Sequence, residues 1–539
     1  MAAARTRAAR DSTVSVKYAD LYGETGVTPN RYNMPHKGYK HTLRTYVWVT
    51  LLITGVMSAL WFTLGAVPGA RGNIPPSFVF GPSDMFFHSI AIGMAALLVY
   101  FVIMAFDLDK YEPNIDFPIA YRAMIATILG AAAALFYVSP AFNAATAPIT
   151  DIIMFVALLF LADVGGALLV QLYLLPAKLT GRYNPYDNSM GMFPKLKQLP
   201  GWSDFRRMDS AYWLVFTSVI VAFIAGIMGF IALWINPHHV FIAAPAFLDG
   251  YMAWLGGAAA WFTALIGSHS HVIGIAIMVG VVGVVAKRFN VLKLRSRWKS
   301  LAKFGMWVSI AGLVIMAIVF LFEAFAAYVP PLLLASNPGG PIQLWSSTAQ
   351  NGMAGDDTTM LLASIGAMIM LIPLMLTKLR DKPAWKDPIR LSILGTWIIA
   401  FIATPLEGFF IEFHEATLSG SPIDVVFGNL QYFALFAITT MALAFLAIDF
   451  FQGRKGIRKR VAAAGIAVTV FALITGFAYA FLDPGALNAS GSVAGTTVWG
   501  YVFAIGLLLM SGIVIYAMLK VRSGHDLRRP MARASAAAS

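Results

Sequence analysis

Cysteine is absent from this chain, and charge of either sign is scarce. Without cysteine there is no disulfide, no thiolate-held iron–sulfur cluster and no covalently attached c-type haem. Any metal or haem would be held by His, Met, Tyr or carboxylate. Only 12% of the residues are charged, against roughly a quarter in a soluble protein. Acid is the scarcer sign, with 26 Asp and Glu against 39 Lys and Arg. The resulting net charge of +13 does not point to nucleic acid, because the basic residues sit in short connections between apolar runs. In that position they set membrane topology. Residues 1–42 contain no apolar core of the signal-peptide kind, so no cleaved leader is expected.

What the chain has in abundance is long apolar runs, and 59% of its residues are hydrophobic. Twelve spans are expected at about 44–66, 84–106, 118–138, 150–175, 211–235, 268–286, 304–328, 358–377, 391–411, 430–451, 461–482 and 497–519. Each is long enough to cross a hydrocarbon core of ~30 Å as a helix. Helices are expected because lipid offers backbone groups no other partner. The expected fold class is therefore all-α, a polytopic integral membrane helical bundle.

The connections alternate. Lys178 to Arg207, Lys287 to Lys303, Lys378 to Arg390 and Arg454 to Arg460 are basic, as are both terminal segments. Segments 139–149, 236–267, 329–357, 412–429 and 483–496 hold almost no Lys or Arg. The positive-inside rule then puts the basic connections and both termini in the cytoplasm. Two loops depart from the pattern: 67–83 carries Arg71 outside, and 107–117 is acidic inside. The domain reading is a polar cytoplasmic arm (1–42), one transmembrane domain (43–520) and a disordered basic tail (521–539). Residues 240–266 are apolar enough for another span, but a span there would flip every later loop. They are read as an outer re-entrant or interfacial segment with Trp254 and Trp261 at headgroup level, and 329–357 as a lid on the outer face.

Six of the nine histidines (His88, His238, His239, His269, His271 and His414) fall at or beyond the outer ends of spans. His88 stands near the outer end of span 2, above Ala91, Gly93 and Ala95. His271 stands at similar depth in span 6, above Gly274. An imidazole above small residues suits a haem, which needs an axial ligand and a flat wall, and ionisable groups inside spans are functional by default. Taken singly, each is equally a polar residue satisfied at a helix contact. His269 and His271 form an H-x-H pair whose side chains leave a helix roughly 200° apart. One helix can thus address two centres. His271 is expected to face His88 as a haem ligand. His269 is expected to face a metal site drawn from His238, His239, Glu412 and His414, or else these four lie in solvated loops. Asp163 in span 4 and Glu323 in span 7 are candidate proton-relay groups, or polar groups satisfied within the bundle.

These motifs resemble subunit I of the haem–copper oxidase and nitric oxide reductase superfamily. Members have twelve spans with both termini inside, a haem-ligating His near the outer end of span 2, and an H-x-H pair at the outer end of a later even-numbered span. His88 and the stretch FTALIGSHSHVIGIAIM occupy those places, and the pair His238–His239 is similar to that family's adjacent copper ligands. In this chain the H-x-H pair lies in span 6 rather than span 10, and spans 8, 10, 11 and 12 hold no histidine. The resemblance implies a non-covalent b- or a-type haem, with copper beside it.

The expected function is a haem- or metal-binding oxidoreductase subunit of a respiratory-type electron-transfer complex in the cell membrane. Other membrane or extracytoplasmic electron-transfer subunits would be its partners. Two other classes compete: a twelve-span secondary transporter with Asp163 and Glu323 as coupling acids, and a non-catalytic structural subunit.

Overall fold

The computed structural model describes residues 36–66, 82–108, 113–143, 145–183, 198–235, 258–291, 294, 296–326, 354–379, 382–418, 437–452, 457–482 and 498–523. They form an all-α membrane bundle. Its helices are α1 His36–Ala66, α2 Pro82–Phe106, α3 Pro113–Tyr137, α4 Ala147–Leu179, α5 Ser210–Ile235 and α6 Ala258–Arg288. They continue as α7 Ser296–Ala326, α8 Ala354–Leu376, α9 Pro388–Leu418, α10 Thr439–Gln452, α11 Lys459–Leu482 and α12 Val498–Ser523. Among the described residues, ten helices are long and apolar enough to cross a membrane. Two apolar stretches, Pro388–Ala403 and Thr439–Gln452, are shorter. The only extended structure described is a two-residue antiparallel pair, Lys378–Leu379 with Lys382–Pro383.

Contacts between helices define a ring around a core. The ring passes through α1, α3, α4, α5, α7, α8, α9, α11 and α12, and α12 closes on α1. Inside it lie α2, α6 and α10, four helices apart along the chain. Burial separates the two groups: 83% of Met85–Phe106 and 83% of His271–Arg288 are buried, against 22% of Ala147–Leu179 in α4. Every residue of α10 from Thr439 to Phe451 is buried. A helix apolar on all sides has no face to give to water or headgroups, and it takes the core. Ring helices approach closely where side chains are small. A Cβ at Gly305 of α7 would stand 2.6 Å from the carbonyl of Gly366 on α8, and Ser309 donates to the carbonyl of Ala363 at 2.8 Å.

The charged residues gather at one end of the bundle. Lys287 pairs with Asp209 at 2.6 Å, and Arg288 pairs with Asp449 at 2.6 Å. The Gln452 amide donates to the carbonyl of Lys520, Arg390 donates to those of Leu374 and Thr377, and Arg522 lies over Trp48. The start of α1, the ends of α4, α6, α8, α10 and α12 and the starts of α5 and α9 therefore meet at this basic end. The histidines of α2 and α6 lie at the opposite end.

Several segment boundaries differ from those expected: α1 begins at His36 rather than 44, and α7 at Ser296 rather than 304. Residues 258–266, expected in a re-entrant segment, are the first turns of α6; Ala258 to Ile266 are good helix-compatible residues with no proline. Glu412 and His414 belong to α9, which runs on to Leu418. Residues 1–35 of the arm, 524–539 of the tail, 329–353 of the expected lid, and 236–257 with His238, His239 and Trp254 lie outside the described residues.

Candidate functional site at the histidine end of the bundle

The site is built where α2, α5 and α6 meet. His88 stands two turns into α2, and the ring of His269 on α6 lies beside it. The two ring centroids are 6.2 Å apart and the planes differ by 25°. Both side chains are half-buried. The wall behind His269 is α5. A Cβ at Gly229 would come within 2.7 Å of both Nδ1 and Cε1 of His269, and within 3.1 Å of its Cγ. Only glycine leaves room for the ring there. Nε2 and Cδ2 are the ring atoms farther from that position. The backbone of Ala225, one turn from Gly229, also interacts with His269, although Nδ1 is buried without full hydrogen-bond geometry. The α5–α6 contact continues through Gly226, opposite Ile273. Phe230 stacks on Phe155 of α4 at 4.7 Å and closes the side of α5 next to Gly229.

On α6 it is the ring of His269 that lies beside His88, where His271 was expected. The reason is helical phase. His269, Ile273, Gly280 and Gly283 form one stripe of α6, and it is the stripe that packs on α5 and α2. His271 leaves the helix roughly 200° away and is buried in the bundle. The small residues below His88 do not form an open wall either. Gly93 packs directly against Thr54 of α1, so that side of α2 is filled by protein.

Asp163 lies outside the bundle interior. It pairs with Arg122 of α3 at 2.7 Å, with 49% of its side chain exposed. Glu323, Glu412 and His414 lie on helices α7 and α9, but their side chains are outside the described residues. Among the described residues, no three His, Asp or Glu side chains converge as a metal site. Gly229 and Ala225 were missed in the sequence, where the only signal was AGIMG near the end of span 5. Small residues one turn apart are common in membrane helices, and what faces them is a tertiary fact.

No family model and no curated protein matches this chain. Its chemistry is read from the site alone.

Two imidazoles held in this way can grip one ion or one planar cofactor between them. Imidazoles bound trans to a single metal have ring centroids about 6 Å apart, from two metal–nitrogen bonds of ~2 Å and two ring radii of ~1.1 Å. The His88–His269 centroid separation is 6.2 Å, the same distance. Two donors do not complete a metal's coordination, whereas a haem would bring four nitrogens of its own.

Proposed function

We propose that this protein is a haem-binding subunit of a membrane electron-transfer complex, in which His88 and His269 would hold the haem. The 6.2 Å separation of their rings, within the reach of two imidazoles sharing one metal, supports the reading. Bound there, a non-covalent b- or a-type haem would supply one-electron transfer. The chain's own part would be to present two half-buried imidazoles from two core helices and to set one of them against α5. His271, turned the other way, is the α6 residue left for a second metal such as copper, with His238, His239, Glu412 and His414 as the remaining candidates. The twelve-span layout with both termini in the cytoplasm belongs to the same proposal, and it places the haem toward the extracytoplasmic face of the cell membrane. The transporter alternative gains nothing from Asp163, which sits on the bundle surface in an ion pair.

The test is the oxidised and reduced absorption spectrum of the purified protein and of three variants. Packed aromatic rings also sit at such distances, and the spectrum separates the two cases. Wild type is expected to show a low-spin bis-imidazole haem. His88→Ala and His269→Ala should each lose it, and His271→Ala should keep it. A wild-type protein that takes up no haem would end this reading.

A further inference from the structure

The Arg122–Asp163 pair lies within the apolar spans of α3 and α4, one turn in from the Pro118 end of the α3 span. From the histidine end, Arg122 lies 15 residues down α3 from Tyr137, and Asp163 lies 16 residues down α4 from Ala147. At 1.5 Å per residue both are about 23 Å down, within a hydrocarbon core of ~30 Å. The pair is bonded at 2.7 Å, yet the side chains remain 34% and 49% exposed. It sits on α4, the least buried of the ten long apolar helices described. Ile152, Leu159, Val170 and Tyr173 are exposed on the same helix. With Asp163 they recur at steps of three, four and seven residues, the spacing of a seam that another helix packs against. A stripe that met only lipid would be apolar throughout. Charges turned toward acyl chains lose their hydration and keep only each other as partners.

We propose that α3 and α4 form the contact between two copies of this chain, with each Arg122 also reaching Asp163 of the other copy. A two-fold axis along the membrane normal keeps every residue at its own depth, so the pair meets itself. One cation and one anion on a face are self-complementary under that axis. The four charges then alternate and are all covered. A partner of different sequence would need a matching pair at the same depth.

The absence of cysteine makes the test clean. Leu159→Cys and, separately, Val170→Cys are oxidised in native membranes, with Ile474→Cys on α11 as an exposed control. A disulfide-linked species of twice the chain mass is expected from the α4 variants and not from the control. Arg122→Asp or Asp163→Arg should each cut the Leu159→Cys linkage at least tenfold, and the two together should restore it. No linked species from either α4 variant, linkage to a polypeptide of another mass, or linkage unchanged by single charge reversal would overturn the proposal.

Discussion

Gly229 shows how much one hydrogen atom can decide. Its missing side chain is the space in which the His269 ring lies, with a would-be Cβ only 2.7 Å from Nδ1 and Cε1. Gly229→Ala should push the ring toward α2 or off its rotamer, at an overpacking cost of about 1–3 kcal/mol. The helix tolerates alanine well, so the bundle should still insert and fold. The expected readout is a haem spectrum shifted from low-spin toward high-spin, or a lowered haem content, at unchanged protein yield. A wild-type spectrum in this variant would show that α5 does not position the ligand. The alanine variant of Gly226, where the nearest neighbour is Ile273 at 3.8 Å, serves as the neutral comparison.

Among the elements, α6 ties the core together through its last two residues. Lys287 bonds Asp209 at the start of α5 and lies over Phe106 at the end of α2. Arg288 bonds the carboxylate of Asp449 at 2.6 Å and its backbone carbonyl at 3.1 Å, and lies over Phe450 of α10. The two ion pairs differ in burial, and that decides their worth. Asp449→Asn leaves a largely buried guanidinium uncompensated and should cost about 3 kcal/mol, the low end for a buried pair. Asp209→Asn breaks a pair whose lysine is 35% exposed and should cost about 1 kcal/mol or less. Thermal unfolding in detergent, comparing the two variants, checks the order.

The connection between α4 and α5 carries a pH dependence of its own. Gly181, with φ of +71°, ends α4, and Asp204 fastens the segment beyond it. Its carboxylate accepts from the Gly201 N–H at 2.8 Å and pairs with Arg182 at 3.1 Å. The Gly201 N–H first, with the Thr180 hydroxyl, Arg182 and Arg207 behind it, holds the Asp204 carboxyl below the ordinary range, against the opposing effect of burial. A depressed folded value means that the stabilisation is present above the unfolded carboxyl's ~3.9 and is lost as pH falls through the lower folded value. Hydrogen exchange of the amides from Gly201 to Phe205 should therefore be protected at pH 7 and lose protection, corrected for intrinsic rate, only in strong acid. Asp204→Ala should be unprotected throughout; a profile like wild type would remove Asp204 as the fastener.

At the scale of the whole molecule, basic contacts collect at one end and the paired histidines at the other. The topology proposal assigns the first end to the cytoplasm. Single cysteines placed between Lys287 and Lys303 should resist a membrane-impermeant thiol reagent in intact cells, and those between Ser336 and Asp357 should react. Labelling of both segments from outside would overturn the twelve-span orientation. Three core helices inside a ring also set how the site is insulated. His88 and His269 stand on the two long core helices, so a ligand held between them would be shielded from lipid by the ring.

Composition and periodicity determined that the chain is a helical membrane bundle. Runs of ~20 apolar residues have no other stable form in lipid, and the spans lie close to the helices found. That His88 and the H-x-H pair belong at one end was legible too, because depth along a helix follows from counting residues. Which histidine meets His88 was not. Facing depends on the rotation of α6 about its axis, and that rotation is set by how its small-residue stripe packs on α5 and α2. The burial of α2, α6 and α10 was equally hidden, since lipid-facing and core-facing helices are both apolar and only their contacts tell them apart. Asp163 shows the same limit from the other side. An acid within a span reads as interior until the packing of α3 on α4 puts it, with Arg122, on the outer surface.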